Sequence, residues 1–138
     1  MELKYQSEIE ALSPCFIGFE EQENRIAYRW VFNSINDANN FLPVPKANPG
    51  RNYTDFKDWA LSFFETETQS ISKLLYHTKD KPQLFKKLGT HIARGVITLA
   101  DGLAEIDCDE DGHFNHFEYK NTNFHLQFEI ISRVPGTE

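Results

Sequence analysis

The residues with most chemical capacity lie late in the chain, in Asp107-Cys-Asp-Glu-Asp-Gly-His-Phe-Asn-His-Phe-Glu118. Carboxylates at Asp107, Asp109 and Asp111, a glycine at 112 and Glu118 at the end satisfy D-x-[DN]-x-[DN]-G-x5-E, a spacing that suits a hard cation wanting about six to eight oxygens. Cys108, His113, His116 and His125 add the nitrogen and sulfur donors that zinc takes. No C-x2-C or H-E-x-x-H accompanies them, and alternation along a strand would put His113 and His116 on opposite faces. Hydrogen-bonded or surface histidines are expected instead. The other cysteine, Cys15, is far away in sequence, and no local signature joins either thiol to a base, so both are expected to be reduced. There is no P-loop and no G-x-G-x-x-G to cradle a nucleotide.

Two resemblances attach to these and to earlier residues. The 107–118 segment resembles the calcium loop of the EF-hand family, which implies Ca2+ ligation by Asp107, Asp109, Asp111, the backbone of His113, Asn115 through water, and Glu118. Its flanks read as strand and turn rather than as paired helices, so the alternative is a solvated acidic hairpin turn. Ala27-Tyr-Arg-Trp30, followed by Ala60-Leu-Ser-Phe-Phe-Glu-Thr66 leading into a helix, resembles the opening of the ADP-ribosyltransferase-like families, including RES-type toxins. That resemblance implies an NAD-using enzyme with Arg29 on pyrophosphate or ribose, Ser62 ordering the pocket, and Glu118 or Glu129 stabilising an oxocarbenium-like centre.

Charge is distributed unevenly along the chain. The 138 residues carry 14 − 21 = −7, yet Lys73, Lys79, Lys81, Lys86, Lys87 and Arg94 are opposed in their stretch only by Asp80. Asp101, Glu105, Asp107, Asp109, Glu110, Asp111 and Glu118 then follow without a Lys or Arg, and Glu20, Glu21 and Glu23 form a second acidic cluster. The surplus of acid disfavours nucleic acid despite the basic run. With 12 Phe, 5 Tyr and 2 Trp the chain can bury a core and anchor a partner. The first expectation is therefore a small regulatory or interaction module docking on a basic protein through Asp107, Asp109, Glu110 and Asp111, as inhibitors, immunity proteins and antitoxins do. No window approaches the roughly 18 apolar residues of a membrane span, and the start lacks the basic and apolar regions of a signal peptide, so a cytoplasmic setting is expected.

The elements that must position these residues read as one α+β domain: an N-terminal strand and two short helices, then a C-terminal antiparallel β-meander. Arg25–Phe32 alternates as a strand, with Ile26, Tyr28, Trp30 and Phe32 on one face and Arg25, Ala27, Arg29 and Val31 on the other. The stretch 43–53, with three prolines and a glycine, reads as an irregular loop. Residues 54–77 fit one long helix, but Thr66-x-x-Gln69 is a capping box, and a strand over 59–64 followed by a helix from Glu67 to about His77 is preferred. Pro82 and Gly89 bracket a second helix. Asp101-Gly102 reads as a hairpin turn between strands 91–99 and 103–107, 113–119 as a further strand, and 124–130 as a half-buried one.

Overall fold

The computed structural model describes Met1–Thr137. The chain forms a mixed α+β domain around one seven-stranded, wholly antiparallel sheet. Helix α1 (Gln6–Glu10) leads to β1 (Phe19–Glu20) and β2 (Arg25–Val31), and the single turn α2 (Val44–Ala47) precedes β3 (Leu61–Phe64). Next come α3 (Glu67–Thr78), α4 (Phe85–Leu88), β4 (His91–Ile97), β5 (Gly102–Glu105), β6 (His113–Glu118) and β7 (Phe128–Arg133). Across the sheet the order is β1-β5-β6-β3-β2-β4-β7. No helix among the described residues is long and apolar enough to cross a membrane.

The strand-then-helix order of 59–77 holds, because the Thr66 side chain accepts from the Gln69 N–H and starts α3 there, but the strand begins only at Leu61, since Asp55 accepts from the Lys57 N–H and winds Phe56–Trp59 into a 3-10 turn. Three further local expectations change. The proline-rich loop holds the α2 turn, with a proline in its first turn where the missing N–H costs nothing. Asp101-Gly102 is not a hairpin turn, since β4 pairs with β2 and β7 while β5 pairs with β1 and β6. It is a corner: the Asp101 carboxylate accepts from the Thr98 N–H and Oγ, winding Leu99–Asp101 into a 3-10 turn. The last strand also starts later than its alternation suggests, because Asn123 accepts from the His125 N–H and makes Phe124–Leu126 a 3-10 turn. The C-terminal strands are antiparallel as expected, but only β5 and β6 are sequential neighbours; β3 and β2 sit between β6 and β4.

The sheet's two faces are covered differently. On the back face, Ala27, Val31, Leu61, Phe63, Ala93, Phe114, Phe124 and Phe128 form one buried cluster, closed by Phe41 and Ile35 from the loop after β2. Phe63 packs on Phe114, Phe124 and Phe128 with ring centroids 5.5–5.8 Å apart, and each such fully buried ring contributes about 2–3 kcal/mol. The front face carries two separate clusters. Leu74 and its neighbours Ile71 and Leu75 lie on Ile92, Trp30 and Tyr28, while Leu3, Ile9, Phe16, Phe56 and Trp59 lie on Phe117 and Tyr119. Between them a narrow strip across β3, β6 and β5 is only partly covered: Ser62 is exposed there, and His113, Asn115 and Glu105 are half-buried. The edges resist pairing with other chains: β1 is two residues long and β7 carries a register irregularity opposite Ile92 and Ala93.

The corner at Gly102 is sterically committed. Its φ is +137°, and an added Cβ would sit 1.9 Å from the Phe117 carbonyl oxygen and 2.9 Å from His116 Nε2. Gly102→Ala is expected to lower stability by about 3 kcal/mol or more, whereas Gly50→Ala, at φ +101° with nothing within 4 Å, costs about 1–2 kcal/mol. Urea unfolding of the two variants checks the difference.

Candidate functional site

Sequence reasoning singled out Arg29, Ser62 and Glu118, and the structure divides them. Arg29 alternates with Ala27 and Val31 and therefore projects from the back of β2. There its guanidinium donates to three carbonyl oxygens: Nε to Asn40 at 2.7 Å, Nη1 to Ser62 at 2.9 Å and Nη2 to Leu42 at 3.4 Å. Asn40 is itself buried, accepting from the Phe32 N–H and donating to the Ser34 carbonyl. Burial pulls the Arg29 guanidinium down to about 10, which leaves it cationic at neutral pH.

Glu118 is buried on the same face, with Lys4 Nζ at 3.0 Å from its carboxylate and donating also to the Thr122 carbonyl at 2.9 Å. Burial pushes the Glu118 carboxyl up, opposed by the charges of Lys4, Arg29 and His125. Arg29 and Glu118 thus share one electrostatic cluster, to which Ser62 contributes only its backbone. The Ser62 hydroxyl points to the front, because its neighbours Leu61 and Phe63 are both in the back core. Glu129 is exposed on β7, in register with Arg94.

Behind the β5–β6 hairpin lies a second buried polar group. His116 is fully enclosed between Phe63 and Phe124, and its Nε2 sits 2.9 Å from the Asp101 carbonyl oxygen. A carbonyl only accepts, so Nε2 carries the proton, and Nδ1 is left buried with no hydrogen-bond partner. Burial holds the imidazole down to about 4.

The acidic hairpin is organised by its own backbone. Asp109 Oδ1 accepts from the N–H groups of Asp111 and His113 at 2.9 and 3.0 Å, and Gly112, at φ +76°, closes the turn against Gln69. Asp111 pairs with Lys73 of α3 at 2.8 Å. Asn115 donates through both its backbone and side-chain nitrogens to Glu105. The residues of the calcium-loop pattern do not converge: Asp109 caps the turn, Asn115 faces Glu105, and Glu118 is on the back face with Lys4. Among the described residues no three His, Cys, Asp or Glu side chains are grouped as a metal ion requires. Cys15 and Cys108 are exposed free thiols.

What sequence reasoning missed is a contact across the front strip. Ser62 Oγ lies 2.9 Å from His113 Nε2, and Asp109 Oδ2 lies 3.8 Å from His113 Nδ1. Alternation in both strands predicts the shared face, but nothing in the sequence predicts that β3 and β6 pair. Two open grooves flank the strip. One, of about 420 Å³, is lined by Ile17, Phe19, Phe56, Lys57, Glu105 and Asp107. The other, of about 540 Å³, lies between α3 and the hairpin, lined by Gln69, Ser72, Lys73, Tyr76, Glu110 and Asp111. The chain matches no protein-family model, no curated protein and no solved structure.

Two outcomes follow from the buried groups. Arg29→Met leaves three carbonyls without their donor and Glu118 with Lys4 as its nearby cation, and is expected to cost about 3 kcal/mol in chemical unfolding. The His116 shift is downward, so below pH 6.5 the unfolded chain takes up a proton that the native state refuses. Stability therefore falls between pH 6.5 and about 4, by about 3 kcal/mol in all. Glu118, shifted upward, acts with the opposite sign. Unfolding midpoints across that range should decline, and His116→Phe should flatten the decline.

Proposed function

We propose that the protein is a binding module whose acidic hairpin and adjoining groove dock on a basic protein segment. The observation that carries this reading is the conjunction of free carboxylates with an apolar anchor site at one end of the sheet. Asp107 and Glu110 are exposed and, among the described residues, have no ion pair. Ile17 is 90% exposed and Ile106 46%, held side by side where the Ile106 N–H bonds the Gly18 carbonyl at 2.9 Å. The groove beside Ile17, floored by Phe19 and Phe56, carries Lys57 paired with Glu105 on one rim and the unpaired Asp107 on the other, a setting for an aliphatic side chain next to a cation that meets Asp107.

The second groove extends the same surface. Tyr76 is 64% exposed there, beside Glu110 and Asp111, and offers an amphipathic ring to the partner. Among the described residues the carboxylates of the calcium-loop pattern do not group, and the Arg29 guanidinium and the Ser62 hydroxyl lie on opposite faces of the sheet, so the binding reading is preferred to calcium or NAD.

A peptide of lysines around a central leucine, labelled for fluorescence anisotropy, tests the reading. Binding is expected that weakens steeply between 50 and 200 mM salt, roughly as charged rims do. Replacing Asp107 and Glu110 together by Lys should weaken it about tenfold or more, and Ile17→Ser should weaken it independently of salt. A salt-insensitive signal, or one unchanged in the double charge variant, contradicts the reading.

A further inference from the structure

Ser62 is an anomaly of β3: between Leu61 and Phe63, both buried, it alone is exposed, on a strip that neither front cluster covers. Its hydroxyl is not spent on the backbone. It meets His113 Nε2 at 2.9 Å from the neighbouring strand, a distance at which a hydroxyl proton passes directly to an imidazole. His113 is fixed on its other side: the ring packs on Phe64, and Asp109 Oδ2 stands 3.8 Å from Nδ1. Asp109 is held in place because its other oxygen accepts from two backbone N–H groups. Its charge favours the tautomer with the proton on Nδ1, which leaves the Nε2 lone pair facing Ser62. In register with Ser62 on the partner strand stands Asn115, whose amide gives one hydrogen to Glu105 and leaves the second for an oxyanion.

The geometry points to Ser62 as a nucleophile for acyl transfer, with His113 as its general base and Asp109 as a positioning residue. Attack forms the Oγ–carbon bond on a carbonyl while the hydroxyl proton moves to Nε2. Collapse breaks the carbon–oxygen or carbon–sulfur bond of the ester, and the leaving group takes the proton from Nε2. Water then adds to the acyl carbon, returning its proton through His113 to Ser62 Oγ as the acid departs. The charges around the strip are Glu105, Asp109 and Asp111 against Lys73 and Lys57, with Glu110 and Asp107 beyond. The substrate class is therefore a small ester or thioester carrying a cation rather than an anion. Burial and Lys73 hold the His113 imidazole below 6.5, with Asp109, Glu105 and Asp111 acting the other way, so the ring is neutral and able to accept a proton at pH 7.

The test uses the full chain with an uncharged fluorophosphonate, read by intact mass, and acetylthiocholine as a cationic thioester. One adduct per chain is expected, on Ser62, and none in Ser62→Ala, whose exposed side chain leaves the fold and melting temperature unchanged. His113→Gln should slow labelling about 100-fold or more. Asp109→Asn keeps the turn's acceptor but removes the charge, so its labelling should be slower and its pH midpoint lower than that of the parent, a shift that a purely structural role would not produce. Acetylthiocholine should be hydrolysed faster in the parent than in Ser62→Ala. Absence of the Ser62 adduct in the folded parent, or equal labelling and turnover in Ser62→Ala, overturns the assignment.

Discussion

The guanidinium of Arg29 does at one seam what backbone pairing does elsewhere in the sheet. β2 and β3 share a single register pair, Tyr28 with Phe64, while β2 pairs with β4 along its whole length. Where the ladder between β2 and β3 lapses, the Ser62 carbonyl has no strand partner on the β2 side. Arg29 reaches it, and in the same stroke takes the carbonyls of Asn40 and Leu42. One planar cation thus joins the β1-β5-β6-β3 half of the sheet to the β2-β4-β7 half and ties the loop after β2 over the back core. A lysine, with a single point of charge, has no equivalent fork.

The consequence for the front face is geometric. Each half carries its own cover, α3 and α4 on one and the N-terminal segment on the other, and the boundary runs over β3 and β6. The strip left open is polar because its residues alternate with the buried aromatics of the same strands. Electrostatics then sort the two faces: the back cluster pairs Glu118 with Lys4, within the field of Arg29, while the acids of the hairpin stay outward. Asp109 turns one oxygen to its own backbone and the other toward His113, and Lys73 neutralises Asp111 alone.

Much of this was legible in the sequence, and the parts that were not share a cause. The faces of β2, the capped start of α3 and the outward acids follow from local period and capping chemistry, which act over a few residues. Asp101-Gly102 carries a turn signature, but its glycine is required by the close approach of Phe117, which only the paired structure shows. The calcium-loop pattern likewise counts spacings along a chain, whereas in a hairpin alternate residues go to opposite faces, sending Glu118 behind the sheet. Arg29 and Ser62 are joined through a carbonyl rather than a hydroxyl. The Ser62–His113 contact rests on the β3–β6 register, a pairing of residues about fifty positions apart that no local rule encodes.

The role of Arg29 as the seam of the sheet is most directly examined by nuclear magnetic resonance of its side chain. Solvent exchange of the Arg29 Nε–H is the quantity to measure. Protection like that of amides in the central strands is expected, because the proton is bonded to the Asn40 carbonyl and shielded by Phe41 and Phe63. Exchange as fast as that of an arginine in open solvent, in the folded protein, would contradict it.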